Sequence, residues 1–282
     1  MSETAPPPLL GAGGGLFSGV ARVARAAGEK VRVLEELRRQ ASESLPRGIR
    51  LSEHGCGQRR GRAALRLALA VLLVPLIVLA LLALFGEIPA ADHRVARVLA
   101  GWSAPALYWL MLAVSWLGWQ PQAGLIGVGL TALLCWKRLT LESGFALLAL
   151  VGGTPVYLLC TLLWYRVRPH VVVAGIRGYK ELGGTSFPSG HVINYLLFCG
   201  FLAYVTYTLV QGPVVRRALL APALALIVLV GFSRLYLGQH WLSDVLASYA
   251  IGGALLVALL AAYRVAKRRQ LARLEASAGR LA

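Results

Sequence analysis

Two histidine-bearing segments carry the residue types for phosphate chemistry. The first is Ser186-Phe187-Pro188-Ser189-Gly190-His191; the second opens with Ser233-Arg234 and runs through His240 to Asp244. Arg168-Pro169 precedes both. His240 and Asp244 stand four residues apart at the predicted start of a helix, so their side chains share a face. A carboxylate in that position holds one imidazole nitrogen, fixes the tautomer and leaves the other nitrogen as an oriented nucleophile. The competing reading is an interfacial histidine beside a helix-start aspartate. Pro188 and Gly190 impose a turn before His191, and glycine lets the backbone approach an anion at the next helix N-terminus. Ser189 either donates to that anion or caps the helix. Arg168 and Arg234 offer guanidinium forks that bind phosphate oxygens in pairs, or they serve as interface anchors.

Whether these residues meet depends on the elements that carry them. The 282-residue chain is 57% hydrophobic, too apolar for an ordinary soluble domain. Apolar runs near the length of a bilayer crossing recur from Leu65 onward, which predicts an all-α membrane protein built as one bundle. The first residues lack a basic segment followed by an apolar one, so no cleavable signal peptide is expected. The formal charge of +17 clusters beside the apolar runs, as the positive-inside rule requires, and no nucleic-acid motif accompanies it. Four cysteines (Cys56, Cys135, Cys160 and Cys199) follow neither zinc nor disulfide spacing.

Three segments follow from this pattern. Residues 1–62 read as a polar, basic and partly disordered extension, with Pro6-Pro7-Pro8, Gly13-Gly14-Gly15 and a short charged helix over 31–40. Residues 63–264 hold six predicted spans, and residues 265–282 form a basic tail. The first span covers 64–85, and Arg59, Arg60, Arg62 and Arg66 before it place the N-terminus in the cytoplasm. Residues 104–136 are broken at Gly118-Trp119-Gln120-Pro121 and form one or two crossings. One crossing with a kinked or interfacial lead-in keeps Lys137 and Arg138 inside, as the charge rule favours. The remaining spans cover 144–165, 191–210, 219–232 and 241–263, with Arg216 and Arg217 at an inner turn and both termini cytoplasmic. This threading brings Arg168, His191, Arg234 and His240 to the same outer face. A metal is not needed, because arginines crowding the site repel a cation.

The residues resemble the type 2 phosphatidic acid phosphatase (PAP2) superfamily, marked by Lys-x6-Arg-Pro, Pro-Ser-Gly-His and Ser-Arg-x5-His-x3-Asp. The second motif matches at Pro188 to His191 and the third from Ser233 to Asp244. The resemblance, which covers about residues 64 to 264, implies a six-span PAP2-like core without cofactors and a phosphohistidine mechanism. His240 would attack phosphorus and Asp244 would orient it. His191 would protonate the leaving oxygen and then activate water. Arg168, Arg234, Ser189 and the Gly190 amide would hold the phosphoryl oxygens. The first motif departs from the pattern: Thr161 stands where the family has lysine. A threonine there can bond its own helix backbone. Lys180 and Arg166 are the candidate replacements.

The resemblance implies a cell-membrane lipid phosphatase with its site on the extracytoplasmic side. Candidate substrates are phosphatidic acid, phosphatidylglycerol phosphate and polyprenyl diphosphates. The alternatives are a lipid phosphotransferase and a catalytically weak or inactive lipid-binding scaffold, to which the missing lysine lends weight. A transporter would show ionisable residues at mid-span, and the sequence shows few. The oligomeric state is not legible in the sequence.

Overall fold

The computed structural model describes residues 88–176 and 184–278. The expected first span, the N-terminal extension and Lys180 therefore lie outside the described residues. The chain divides into two compact units, Ile49–Lys267 and Met1–Gly48 with Arg268–Ala282. The larger holds every candidate site residue.

All regular elements among the described residues are helices: α1 (Ala90–Ala100), α2 (Pro105–Leu117), α3 (Gln122–Trp136), α4 (Thr140–Val151), α5 (Gly153–Leu163), α6 (Pro169–Val172), α7 (Gly190–Leu209), α8 (Pro213–Tyr236) and α9 (Leu242–Ala278). Local chemistry sets their ends. Pro105, Pro169 and Pro213 open α2, α6 and α8 at first-turn positions where a missing N–H costs nothing. Gly118 ends α2, and Gly152 separates α4 from α5.

Among the described residues, four stretches are long and apolar enough to cross a membrane: Thr140–Leu163, Gly190–Leu209, Pro213–Tyr236 and Leu242–Leu274. Their outward faces leave large aliphatic side chains uncovered, as at Leu162, which is 84% exposed. Lipid tails are the solvent for such faces, so exposure there costs nothing.

The expected break in 104–136 is present. It produces two helices of 13 and 15 residues, α2 and α3, each shorter than a bilayer core requires. They also pack on different partners. Ser233 Oγ on α8 donates to the Met111 carbonyl of α2 at 2.6 Å, whereas Ser143 Oγ on α4 donates to the Thr131 carbonyl of α3 at 3.1 Å. The last turn of α2 ends against the start of α7: a side chain at Gly118 would meet the rings of His191 and Tyr195 at 2.6 and 2.5 Å.

The core runs the length of the bundle. Phe201, Phe198, Leu197, Ala146 and Ala149 join α7 to α4, and Tyr263 brings in α9. Beside it, the buried Glu142 accepts from Tyr263 Oη at 2.7 Å and Lys267 Nζ at 2.8 Å. That clamp lies more than twenty residues along α9 from its start, a rise of about 30 Å. The residues of the two histidine motifs gather at the other end.

Candidate active site

The turn between α8 and α9 shapes the third motif. Gly238 has φ +63°, and a side chain there would approach Ile176 Cγ2 to 2.1 Å, so both conformation and space require glycine. After this residue the chain folds back, and the amides of Gln239 and His240 donate to the Arg234 carbonyl at 3.0 and 3.3 Å. The Gly238 carbonyl accepts from the backbone N–H of His170 at 3.1 Å, which ties α6 to the same turn.

His240 is buried, and its Nδ1 donates to the Ser186 carbonyl at 2.5 Å. A carbonyl only accepts, so Nδ1 carries the hydrogen and Nε2 keeps its lone pair. Burial pushes the imidazole well below its ordinary pKa. The cations of Arg234 and Arg168 push it further, and the Ser186 bond opposes them. His240 is therefore a neutral imidazole with the Nε2 lone pair free.

The expected direct bond from Asp244 to His240 is not formed. Asp244 reaches back to the Trp241 N–H at 2.9 Å, the backward half of a capping box. Its other partners are Ser186 Oγ, which donates to Oδ2 at 2.5 Å, and the Arg166 guanidinium, which donates to Oδ1. Ser186 thus lies between the two: its hydroxyl donates to the carboxylate while its carbonyl accepts from the imidazole. The physical reason is local. His240 precedes the helix in the turn, and the cap draws the Asp244 carboxylate back toward the first turn of α9.

Several buried polar atoms of the motif residues lack protein partners. Arg168 donates Nη1 to the Gln239 carbonyl at 2.9 Å, and Arg234 donates Nη1 to Ser115 Oγ. The Nε of each is buried without a partner, and neither arginine forms an ion pair among the described residues. Burial lowers the pKa of Arg168, with Tyr157 and Asp244 as the neighbours that raise it. Ser189 makes no side-chain cap to α7; its hydroxyl is buried and unpartnered, like His191 Nε2. Its backbone N–H donates instead to Ser248 Oγ at 2.8 Å, and that hydroxyl donates to the Asp244 carbonyl oxygen at 2.6 Å. Burying two guanidinium groups without a counter-charge is costly, and an anion with several acceptor oxygens removes that cost.

The candidates for the missing lysine fare differently. Thr161 Oγ1 donates to the Leu158 carbonyl of its own helix at 2.8 Å, as its chemistry suggests. Arg166 is already engaged by protein groups. Its guanidinium is taken up by Asp244, by Asp92 Oδ2 at 2.8 Å and by Ser243 Oγ at 2.7 Å, which leaves it neutralised by two carboxylates. The sequence assigns no role to Asp92, Ser115, Ser243 or Ser248, and none of them is a fixed position of the motifs.

The sequence model of the PAP2 superfamily matches residues 141–268. No curated protein matches the chain. Among solved structures, the chain is similar to the transmembrane PAP2 type phosphatidylglycerolphosphate phosphatase from Bacillus subtilis, with TM-score 0.58 and 24% identity over 69% of this chain and 94% of that one. The structure of Aquifex aeolicus LpxE aligns with TM-score 0.49 and 20% identity over 59% of this chain and 93% of that one. At these identities the likeness concerns the fold. Residues 141–268 hold both histidine motifs, Arg168 and Arg234, and it is over this stretch that the chain is similar to the PAP2 superfamily.

Proposed function

We propose that the protein is a membrane lipid phosphatase that removes a phosphate or diphosphate group from a lipid through a phosphohistidine. One observation carries this reading. A neutral His240 lies within electrostatic reach of Arg168, Arg234 and His191, and Arg168 Nε, Arg234 Nε, Ser189 Oγ and His191 Nε2 are each buried without a protein partner. A phosphoryl group supplies several acceptor oxygens and an electrophilic centre in one ligand.

In the first step the His240 Nε2 lone pair forms the P–N bond as the P–O bond to the lipid breaks. His191 gives its Nε2 proton to the departing oxygen. In the second step His191 Nε2 takes a proton from water, whose oxygen forms the new P–O bond as P–N breaks. His191 ends protonated as it began, and inorganic phosphate leaves. Arg168, Arg234, Ser189 and the Gly190 amide hold the phosphoryl oxygens, and the Ser186 carbonyl keeps the His240 ring oriented. Lys180 is retained as the replacement for the missing motif lysine.

The chain crosses the membrane six times with both termini cytoplasmic and opens the site on the extracytoplasmic side. The clustering of basic residues beside the apolar runs supports this topology. Phosphatidylglycerol phosphate, phosphatidic acid and polyprenyl diphosphates are the candidate substrates; the Bacillus subtilis structure is described as a phosphatase of the first. Thr161 favours one alternative, a weakly active or inactive lipid-binding protein, because its hydroxyl is spent on its own helix and it carries no charge.

Phosphate release from these three lipids in detergent, compared between wild type and His240→Ala, tests the reading. Loss of about a thousandfold or more is expected in the variant. Equal activity would remove His240 as nucleophile, and an inactive wild type would favour the lipid-binding alternative.

A further inference from the structure

Helix α1 precedes the matched region 141–268, yet it inserts a carboxylate into the network behind the nucleophile. Asp92 is 2% exposed. Its Oδ1 accepts from the backbone N–H of Ser243 at 2.9 Å, and its Oδ2 accepts from Ser243 Oγ at 2.5 Å and Arg166 Nη2 at 2.8 Å. Asp92 therefore caps the first turn of α9 from another helix and holds one side of the Arg166 guanidinium. Asp244 holds the other side. The backbone of Arg166 is fixed as well: its N–H donates to Thr185 Oγ1 at 2.8 Å, and its carbonyl accepts from the Ser186 N–H at 2.6 Å. The contact is built rather than incidental, because α1 also packs Ala96 against Trp241, and the His93 ring meets that indole edge-on at 5.0 Å between centroids.

We propose that Asp92 is a positioning residue for His240, acting through Arg166, Asp244 and Ser186. The chain of contacts is continuous. Asp92 fixes Arg166, Arg166 fixes Asp244, Asp244 accepts from the Ser186 hydroxyl, and the Ser186 carbonyl accepts from His240 Nδ1. Charge gives the arrangement a second effect. Arg166 between two carboxylates leaves the cluster with a formal charge of about −1, which offsets the positive charge that His240 gains on taking the phosphoryl group. Without Asp92 the cluster is neutral, and part of the Arg166 fork is free to turn away from Asp244. The proposal rests on the phosphohistidine reading above, and it gives α1, which no motif covers, a place in the mechanism.

The test uses the full chain in detergent, with phosphatidic acid, phosphatidylglycerol phosphate and undecaprenyl diphosphate as probes and orthovanadate as a phosphoryl mimic. Asp92→Asn keeps an acceptor for the Ser243 N–H and removes the charge facing Arg166. Its kcat is expected to fall about tenfold or more while KM and the apo melting temperature stay near wild type. The rise in melting temperature on adding orthovanadate is expected to shrink in the same variant. Arg166→Met is expected to show a similar loss, and the double variant to lose no more than the worse single one, as coupled groups do. Unchanged kcat in a folded Asp92→Asn protein, or additive losses, would overturn the proposal while leaving the phosphatase reading intact. A loss confined to the melting temperature would reduce Asp92 to a structural cap and equally overturn it. A wild type that releases phosphate from none of the probes and does not respond to orthovanadate would overturn both readings together.

Discussion

At the residue scale, protonation governs the proposed nucleophile. The role proposed for His240 requires an unprotonated Nε2, and burial with two arginines nearby holds its pKa well below 6.5. His240 stays neutral down through pH 6.5, and activity is lost only as the pH falls to the lowered pKa of the folded site. The acidic limb of kcat/KM should therefore have its midpoint below pH 6.5, measured on a substrate whose own ionisation is known. Folding stability moves in the same direction. Below the unfolded pKa the unfolded chain takes up a proton that the native imidazole refuses, so the contribution of this group is lost as pH falls. A midpoint above 6.5 would mean that the arginines do not act on the ring as their placement suggests. The same scale shows why Arg166 and Arg168, two residues apart, differ in role. Arg166 is neutralised by Asp92 and Asp244, whereas Arg168 keeps an unpartnered Nε beside a backbone carbonyl.

At the element scale, the site depends on short connections holding long helices in register. The α8–α9 turn is the most demanding of these, because Gly238 combines a left-handed conformation with contact to Ile176 and His170. Gly238→Ala should destabilise the fold by about 1–2 kcal/mol from the backbone conformation alone, before the clash with Ile176 is counted. It should also lower kcat, since the amides of Gln239 and His240 are aimed by the same turn. Adding Ile176→Ala should recover part of the melting temperature, because it relieves the clash and leaves the backbone strain. Full recovery would show that φ at this position carries no cost. Helix α2 illustrates the same dependence: it places Ser115 against Arg234 and ends on His191.

At the scale of the whole molecule, stability and chemistry sit at opposite ends of the bundle. The buried Glu142 accepts from Tyr263 and Lys267 and ties the start of α4 to the far part of α9. Glu142→Gln should cost about 1–3 kcal/mol by weakening a buried charge-assisted contact. The kcat of the folded fraction should stay at the wild-type value, because the clamp is about 30 Å from His240 along α9. Thermal melting in detergent, with activity measured well below the transition, separates the two effects. A fall in kcat would show that the clamp end is coupled to the site through α9.

The sequence by itself determined the chemistry of the donors and the approximate position of each along the chain. Pro188 to His191 and Ser233 to Asp244 supply the histidines, the carboxylate and the proposed phosphate contacts, and hydropathy places them beside helix ends. Gly118 to Pro121 announced the break between α2 and α3, and Thr161 announced the missing charge. These features are local, so composition and spacing reveal them. Tertiary structure decided which side chain meets which. The carboxylate of Asp244 turned back to its own helix start, and Ser186 stepped between it and His240. Arg166 was claimed by Asp92, a residue 74 positions away on a helix with no motif. Such choices rest on rotamers and on the docking of distant helices, where a carboxylate takes the nearest donors that folding brings to it.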